Sequence, residues 1–514
     1  MLDLGRSFLA SVARDPNAIA LVDGDLRLSY ADWLTRIGAL ADSLRHLGLK
    51  PGDHLVCALQ NTADAATLHW ACQMAAIVIV PVNWRITAEE LDFTLLNAEA
   101  RGLVLDASSM AAAGASNLVA GLVQIASGGC VAGALSIDDM MSGRVDATPC
   151  ASAEDISLMF YTSGTTARPK GVPRRHRMER AAALAHVAQN LMPRGERTLG
   201  VMPLYHTMGV RSLLAMSLLG GRFVCLPRFD AGRALALIET EAVSSLYLVP
   251  TLYHDLLVHP DFVLTNTASV RRLGFAGASM TDGLLQRLKA AFQPELFVNH
   301  YGSSEVYTFS VDQNAPAKPG SAGRAGLNQD LRIVVPGQGN PDARVTPGDE
   351  GEIIATLLGD EAFEGYWRRP EADAKSLRAG WYFTGDMGRM DAEGDLFVTG
   401  RVDDMIITGG ENVSPVEVEN CLSLHPCVGE CAVVGLPDER WGKIVVAFVR
   451  RSAAVSAEDL CTHCRASGLA AFKRPRRVIF VAELPRSPVG KLLRRLLVAG
   501  EFTPEPAEPG QKSA

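Results

Sequence analysis

The 514-residue sequence has no excess of basic charge and no apolar run long enough to cross a bilayer. Its 49 Lys and Arg residues against 57 Asp and Glu give a formal net charge of −8, which argues against nucleic-acid binding, since such proteins usually carry a basic face. The most apolar segment, residues 71–82, fits a buried helix followed by a strand. Because Asp3 is followed by no apolar stretch, no secretory signal is expected. We therefore expect a cytoplasmic protein without a membrane span.

The ten cysteines show no extracellular disulfide framework and are expected to be mostly buried, reduced thiols. The densest group, on which a zinc site could be built, consists of Cys421, Cys427, Cys431, Cys461, His463 and Cys464. Zinc would need a second close-spaced pair at a turn. Residues 456–459 instead resemble the start of a helix, which places Cys461 and Cys464 one turn apart on a helix face. We predict that they pack in a core.

The length excludes a single ordinary core, so two or more domains are expected. Residues 18–22 and 26–28 flank the turn Asp23-Gly24 like a hairpin, and Ser29 is predicted to cap a helix that runs to about Leu47. Further strands are predicted at residues 55–59, 103–105, 198–202, 223–226, 245–249 and 273–276. Because strands alternate with helices, we predict an α/β fold whose large N-terminal domain, residues 1–402, contains layered mixed sheets covered by helices.

The composition changes after about Gly320. Glycine and proline become dense, and short strands at 331–335, 352–355 and 396–398 predict a β-rich subdomain over about 320–400. A boundary near 401–404 precedes a small α+β domain, residues 403–502, of a plausible domain size. The tail, residues 503–514, is rich in proline and glutamate and is expected to be disordered.

Residues 161–171 read Tyr-Thr-Ser-Gly-Thr-Thr-Ala-Arg-Pro-Lys-Gly. Such a loop can direct backbone N–H groups, hydroxyls and the cation of Lys170 toward a polyphosphate. It is neither a P-loop, because the lysine follows the Ser/Thr run, nor a Gly-x-Gly-x-x-Gly loop. Taken alone, a loop of this composition is more often a solvated turn, so the segments that follow decide its interpretation.

This loop resembles the phosphate loop of the adenylate-forming enzymes, which comprise acyl- and aryl-CoA ligases, luciferases and peptide-synthetase adenylation domains. Segments that resemble that family's other motifs follow in order at residues 301–305 (Tyr-Gly-Ser-Ser-Glu), 381–386 (Trp-Tyr-Phe-Thr-Gly-Asp), 400–407, 409–419 and 487–491 (Ser-Pro-Val-Gly-Lys). The resemblance covers nearly the whole chain and is nearest to 4-chlorobenzoate- and benzoate-type CoA ligases. Ala167 replaces a usual glycine, at a cost of about 1 kcal/mol if that position needs positive φ, and Ser304 replaces a threonine.

The resemblance implies that a carboxylate is converted to a mixed anhydride with AMP. Because carboxylate and α-phosphate are both anionic, their approach needs positive charge, which Lys491 would supply. Glu305 would hold Mg²⁺, Asp386 would accept hydrogen bonds from the ribose hydroxyls, and Arg401 would reach the ribose or a phosphate. The other implied ATP- and AMP-binding residues are Thr162, Ser163, Gly164, Thr165, Thr166, Lys170, Ala276, Gly277, Ala278, His300, Tyr301, Gly302, Ser303 and Ser304.

In the family the small domain rotates about a hinge, here Asp403, between adenylation and transfer of the acyl group to CoA. The implied CoA contacts are Arg85, Gly409, Gly410, Trp441, Phe472, Arg474 and Arg476. The cluster 472–477 fits two interpretations equally, an aromatic face for adenine with cations for phosphates and a solvated charge run. A second basic run, 174–177, is expected to be solvated.

The implied acyl pocket consists of Ala185, His206, Thr207, Met208, Tyr247, Gly277, Gly302, Tyr307 and Thr308, with His206 as the residue that closes over the acyl group. Its aromatic walls favour a ring acid over a long chain, while Arg211 leaves a dicarboxylate open. Three other interpretations are open as well: the substrate could be a medium-chain fatty acid, the acyl group could be transferred to a carrier protein, or the chain could be a non-catalytic nucleotide-binding protein. Joint retention of Lys491, Glu305 and Asp386 argues against the last of these. The expected partners are a small carboxylic acid, ATP and CoA, and a homodimer is left open.

Overall fold

The computed structural model describes residues 2–129, 133–162, 169–327, 329–401, 404–409, 411–486 and 492–506. Numbered along the chain, its strands are β1 (Ile19–Asp23), β2 (Leu26–Ser29), β3 (His54–Ala58), β4 (Val78–Pro81), β5 (Gly102–Leu105), β6 (Val123–Ala126), β7 (Leu135–Ser136), β8 (Ile156–Thr162), β9 (Lys170–Arg175), β10 (Arg197–Gly200), β11 (Arg222–Cys225), β12 (Ser245–Leu248), β13 (Arg272–Phe275), β14 (Leu296–Tyr301), β15 (Ser310–Asp312), β16 (Ser321–Ala325), β17 (Leu331–Val334), β18 (Gly351–Thr356), β19 (Leu377–Arg378), β20 (Trp381–Met390), β21 (Leu396–Arg401), β22 (Ile406–Thr408), β23 (Glu411–Val413), β24 (Val428–Asp438), β25 (Gly442–Arg451) and β26 (Arg477–Phe480).

The helices are α1 (Leu4–Arg14), α2 (Tyr30–His46), α3 (Ala63–Ala75), α4 (Ala88–Asn97), α5 (Met110–Ala115), α6 (Ile137–Met141), α7 (His176–Gln189), α8 (Thr207–Leu219), α9 (Ala231–Thr240), α10 (Pro250–Val258), α11 (Asp282–Phe292), α12 (Pro370–Ser376), α13 (Pro415–Ser423), α14 (Ala457–Ala466) and α15 (Arg494–Ala499). Together with the strands they form the mixed α/β architecture that the sequence predicts. In the described part of the chain no helix has the length and apolar character needed to cross a membrane.

Two large sheets occupy the first four hundred residues. One has the strand order β7-β6-β5-β3-β4-β8-β9 and is parallel except for the pair β8–β9. The other follows the order β17-β18-β20-β21-β16-β15-β14-β13-β12-β10-β11-β1-β2. Its strands from β10 to β14 are parallel, and those from β14 through β21 are antiparallel. The antiparallel part contains the short strands predicted after Gly320.

A layer of helices fills the space between these sheets. Helix α2 begins where the sequence predicts, because the Ser29 hydroxyl accepts from the Asp32 backbone N–H at 3.1 Å and the Asp32 carboxylate accepts in return from Ser29. Trp33 of α2 and Trp70 of α3 both contact the ring of Phe8 on α1, with centroids 5.3 and 4.6 Å apart. The same core includes residues of both sheets, so burial of these rings joins the two sheets into one body.

The C-terminal part is a small α+β unit, as predicted. Strands β22 to β25 are ordered β23-β22-β25-β24, and β26 pairs in parallel with β25. Helices α13 and α14 contribute apolar residues to one core and α15 to a second. The predicted helix start at Ser456 is confirmed by a capping box with Asp459, and Cys464 of α14 is fully buried.

The tail differs from expectation where it begins. The Thr503 carbonyl accepts from the Ala482 N–H at 3.0 Å, and the Glu505 N–H donates to the Phe480 carbonyl at 3.1 Å. The Glu505 carboxylate also pairs with Arg451 at 2.8 Å. The prediction that disorder starts at Thr503 is therefore wrong, because these residues lie along the open edge of β26 and satisfy its backbone groups. Residues 507–514 lie outside the described residues.

Candidate functional site

The two ends of the predicted phosphate loop meet at the tip of a hairpin. Strands β8 and β9 pair antiparallel, with Thr162 directly opposite Lys170. Residues 163–168, which include Ser163, Gly164, Thr165 and Thr166, lie outside the described residues. The register alone therefore fixes where the loop leaves and re-enters the sheet, and it places Lys170 at the loop's base.

Lys170 lies close to the predicted metal-binding carboxylate, with a tyrosine between them. Its Nζ is 4.2 Å from the ring centroid of Tyr366, and the Tyr366 hydroxyl donates to Glu305 Oε1 at 2.8 Å. Burial lowers the pKa of Lys170, and the negative charge of Glu305 opposes that shift. Burial also raises the pKa of Tyr366, so its hydroxyl stays protonated as a donor. The sequence analysis missed Tyr366, since no motif or spacing marks it.

The predicted ribose contacts also come together. Asp386 and Arg401 are direct neighbours in the β20–β21 ladder, with their side-chain atoms Oδ1 and Nη1 3.2 Å apart. The Tyr301 hydroxyl donates to Asp386 Oδ2 at 2.6 Å. The preceding Gly385 has φ +72°, a backbone conformation that favours glycine. The turn therefore holds a carboxylate beside an arginine that is about half exposed.

The loops after β13 and β14 lie side by side, because these strands are parallel neighbours. The first carries Ala276, Gly277 and Ala278, and Gly277 has φ +81°. The second turns sharply at Gly302, where an added Cβ would lie 2.0 Å from the Tyr307 carbonyl oxygen. The Ser303 N–H donates to the Val306 carbonyl and closes this turn. The carboxyl ends of neighbouring parallel strands are where open α/β sheets usually bind ligands.

The predicted acyl pocket begins at the N-terminus of α8. His206 is the N-cap residue, and its Nδ1 accepts from the Met208 N–H at 3.4 Å. Thr207 starts the helix, Met208 is buried, and Ala185 on the neighbouring helix α7 is buried as well. His206 is half-buried, which leaves part of its imidazole accessible.

Deeper in this region, three rings pack together around an asparagine. The centroid of His186 is 4.7 Å from Tyr247 and 5.3 Å from His300, and Tyr247 and His300 are 5.3 Å apart. Asn190 Nδ2 contacts His186 Nδ1 at 3.0 Å and His300 Nε2 at 3.1 Å. Burial, followed by the charge of Arg211, lowers the pKa of both histidines well below the usual value, so both are neutral. His186 and Asn190 were not predicted from the sequence.

Arg211 lies within this cluster. It is 2% exposed, donates from Nη1 to the Thr308 hydroxyl at 2.8 Å, and hydrogen-bonds through Nη2 to the Tyr247 hydroxyl. The carboxylate of Glu361 is also buried. Burial raises the pKa of Glu361, and the positive charges of Arg211 and Arg174 oppose that shift. Glu361 was not predicted to lie here.

The expectation that the run 174–177 is solvated is wrong for two of its residues. Arg174 and Glu179 are both fully buried, with Nε and Oε1 2.8 Å apart. The guanidinium of Arg174 also covers the ring of Tyr307 at 3.9 Å and donates to the Glu305 carbonyl at 3.1 Å. His176 is buried too, and burial lowers its pKa to about 4. Because side chains alternate along β9, Arg174 faces the core while Arg175 pairs at the surface with Glu364.

Several residues predicted to contact CoA gather on one face of the C-terminal unit. The Gly409 N–H donates to the Trp441 carbonyl at 2.9 Å, and an added Cβ at Gly409 would lie 2.8 Å from the Trp441 ring. Arg476 lies over the same ring at 4.2 Å. Phe472 is exposed, whereas Arg474 donates to the Leu469 carbonyl. Arg85 instead stacks on Trp84 at 3.7 Å. Gly410, the hinge Asp403 and Lys491 lie outside the described residues.

Comparisons with known proteins show the family to which the chain belongs. A family profile described as AMP-binding enzyme matches residues 8–367, and one described as AMP-binding enzyme C-terminal domain matches residues 417–491. A 4-chlorobenzoate–CoA ligase from Arthrobacter sp is 34% identical over 95% of this chain and 93% of its own. A long-chain-fatty-acid–CoA ligase from Mycobacterium tuberculosis is 32% identical over 92% and 93%. The solved anthranilate CoA ligase in complex with anthranoyl-AMP superposes with a TM-score of 0.91 at 25% identity, over 97% of each chain.

Proposed function

The chain belongs to the AMP-binding enzyme family as an AMP-forming acid–CoA ligase, and we propose that its acid is a benzoate-like aromatic carboxylate. In the proposed reaction, a carboxylate oxygen attacks the α-phosphorus of ATP and pyrophosphate leaves. The thiol of CoA then loses its proton and attacks the acyl carbon, and AMP leaves with the electron pair of the broken C–O bond. The products are the acyl-CoA thioester, AMP and pyrophosphate.

The observation that carries the nucleotide-binding part of this proposal is the grouping of charged side chains beside two tyrosines. Lys170 and Glu305 flank Tyr366, and Asp386 and Arg401 lie beside Tyr301. In this proposal Lys170 stabilises the phosphates, and Asp386 accepts hydrogen bonds from the ribose hydroxyls. Thr162 and Ser304 contribute hydroxyls at the edges of the same space. Lys491 neutralises the negative charge that accumulates when the carboxylate approaches the phosphate.

Glu305 fits a magnesium ligand. One of its oxygens, Oε1, accepts from Tyr366, and the carboxylate is largely buried beside the base of the phosphate loop. Mg²⁺ is typically held by one or two carboxylates together with substrate phosphates. When bound there, the ion would neutralise phosphate charge. This chain's contribution is to orient the carboxylate through the Tyr366 hydroxyl and to hold the Ser304–Glu305 backbone through Arg174.

The aromatic substrate is proposed from the pocket walls. Tyr247, His300 and Tyr307 are buried and lie within one polar and aromatic cluster, and pockets of this kind suit a flat ring better than a flexible chain. The similarity to a long-chain-fatty-acid–CoA ligase keeps fatty acids as the second candidate. A small domain that turns about Asp403, with the Gly409–Trp441–Arg476 face toward CoA, completes the proposal.

The experiment measures pyrophosphate release with ATP, Mg²⁺ and a panel of benzoates, medium-chain fatty acids and malonate, each with and without CoA. We expect CoA-dependent turnover with ring acids. The Lys491→Ala variant should lose adenylation by on the order of 10²-fold or more, as expected when a group that stabilises transition-state charge is removed. Glu483→Ala, a substitution in the same C-terminal unit, is the matched control and should keep the rate. Turnover with fatty acids alone would overturn the substrate assignment, and unimpaired Lys491→Ala would overturn the role of that lysine.

A further inference from the structure

Arg211 is a buried cation without a direct ion pair in the described part of the chain. Its guanidinium bonds to the hydroxyls of Thr308 and Tyr247, and Nε has no hydrogen-bond partner among the residues that the structure describes. Leaving a buried donor unsatisfied is unfavourable, so such a group either binds a water or awaits a ligand.

A second buried nitrogen without a partner among those residues, His186 Nε2, lies beside it. Asn190 Nδ2 lies 2.8 Å from the His186 carbonyl oxygen, 3.0 Å from His186 Nδ1 and 3.1 Å from His300 Nε2, so its two protons have three possible acceptors. In the tautomer whose Nδ1 accepts from Asn190, the proton of neutral His186 is on Nε2. His186 and Arg211 both lie against Tyr247, at 4.7 Å and 5.2 Å from its ring. In that tautomer, two buried donors that no described residue satisfies flank one wall of the predicted acyl pocket.

The positions of Arg211 and His186 determine which end of a bound substrate they would contact. Arg211 lies four residues into α8 from Thr207, on the order of 6 Å along the helix axis at 1.5 Å per residue. His206, the residue proposed to close over the acyl group, stands at the start of that helix. The donors therefore lie toward the far end of the ring.

Two buried carboxyl groups already lie near these arginines. Glu179 pairs with Arg174, and Glu361, whose oxygens have no hydrogen-bond partner among the described residues, feels the charges of Arg211 and Arg174. A second carboxylate on the substrate would add a further negative charge to this buried site, which is costly. A neutral acceptor would satisfy the donors without that cost.

We propose that Arg211 and His186 recognise a neutral hydrogen-bond acceptor on the ring of the aromatic acid, remote from the reacting carboxylate. This proposal rests on the proposed function. The substrate class is thus an acceptor-substituted benzoate, such as a nitro-, methoxy- or acyl-benzoate. Arg211 Nε and His186 Nε2 donate to the substituent, and Thr308 and Tyr247 hold the guanidinium in place.

Three nearly isosteric acids test this assignment: 4-nitrobenzoate, 4-isopropylbenzoate and benzene-1,4-dicarboxylate, together with their 3-substituted isomers. Pyrophosphate release gives kcat/KM for each. In the wild-type enzyme, kcat/KM for the better nitro isomer should be at least ten times that for the matching isopropyl acid. It should also be higher than kcat/KM for the dicarboxylate. In Arg211→Met that nitro-to-isopropyl ratio should fall to one or below, because the donor is replaced by an apolar group of similar length. Arg211→Lys should retain an intermediate ratio.

Ser212→Ala is the matched control, since Ser212 is the next residue on the same helix and its hydroxyl bonds back to the Met208 carbonyl. It should leave the ratio unchanged. The assignment would be overturned if the isopropyl acids had the same kcat/KM as the nitro acids, or if Arg211→Met left the nitro-to-isopropyl ratio unchanged. Either result would leave the ligase function standing. A preference for the dicarboxylate would overturn the neutral-acceptor assignment. Failure of every acid, benzoate included, would instead remove the proposed aromatic substrate itself.

Discussion

Arg174 and Arg211 lie on either side of Tyr307, at 3.9 Å and 5.9 Å from its ring, and both are buried. Their surroundings differ. Arg174 pairs with the Glu179 carboxylate at 2.8 Å and binds the Glu305 carbonyl, whereas the side-chain partners of Arg211 are hydroxyls. Within the described chain each arginine keeps one guanidinium nitrogen without a hydrogen-bond partner, Nη2 in Arg174 and Nε in Arg211. A buried cation paired with a carboxylate of its own protein supports structure, and a buried cation held only by neutral hydroxyls is available to a ligand. The first therefore should govern stability and the second specificity.

The largest expected effect follows from removing the partner of Arg174. Glu179→Gln leaves a buried guanidinium without a carboxylate, and breaking a buried pair from one side typically costs about 3–5 kcal/mol. We expect the free energy of unfolding of the N-terminal part, measured by urea titration, to fall by that amount. Arg211→Met should change it by at most about 1 kcal/mol in either direction, because removing a buried charge that lacks a direct ion pair also removes its desolvation cost.

Replacing both partners sharpens this test. Arg174→Met with Glu179→Leu should recover more than half of the loss, since a buried pair is often replaceable by apolar residues of similar volume. Equal losses in Glu179→Gln and Arg211→Met would contradict the division into a structural and an open arginine.

A smaller effect is expected at Gly302, whose turn carries the segment of Tyr307 and Thr308. In Gly302→Ala the new Cβ would lie 2.0 Å from the Tyr307 carbonyl oxygen, so the backbone must move, at a cost of roughly 1–3 kcal/mol. Because the shift displaces contacts of both arginines, stability and the nitro-to-isopropyl preference should fall together. Gly114→Ala is the control, since its Cβ would meet no described atom within 4 Å, and it should leave both properties unchanged. If the Gly302→Ala variant were destabilised but kept its nitro-to-isopropyl preference, the turn would not position Thr308.

The motif residues came from the resemblance to the family, and their roles stay predictions. The structure does bring some of them together, since Thr162 lies opposite Lys170 and Asp386 opposite Arg401 in their ladders. Sequence reasoning missed Tyr366 and Glu361, because Tyr366 contacts Glu305 and Glu361 lies near the arginines across long separations in sequence, and no motif marks either residue. The prediction that residues 174–177 are solvated was wrong because it relied on their basic composition. The sequence does not reveal that one face of β9 is covered, which is the face where Arg174 is buried. The roles of Lys491 and Asp403 stay predictions.

The smallest expected effect is a change in acid sensitivity. His186 and His300 have pKa values well below 6.5, through burial and then the charge of Arg211. Below pH 6.5 the unfolded chain therefore binds protons that the folded chain does not, and stability falls as the pH falls. Arg211→Met removes the cation and raises both folded pKa values, so this loss should be smaller. The measurement is the urea midpoint of the wild type and of Arg211→Met between pH 7.5 and 5, a range that includes the usual pKa of histidine. His176, whose pKa of about 4 owes nothing to Arg211, supplies the same background to both proteins. Arg211→Lys keeps the charge and should follow the wild type, and parallel curves for Arg211→Met would show that its charge does not reach the two histidines.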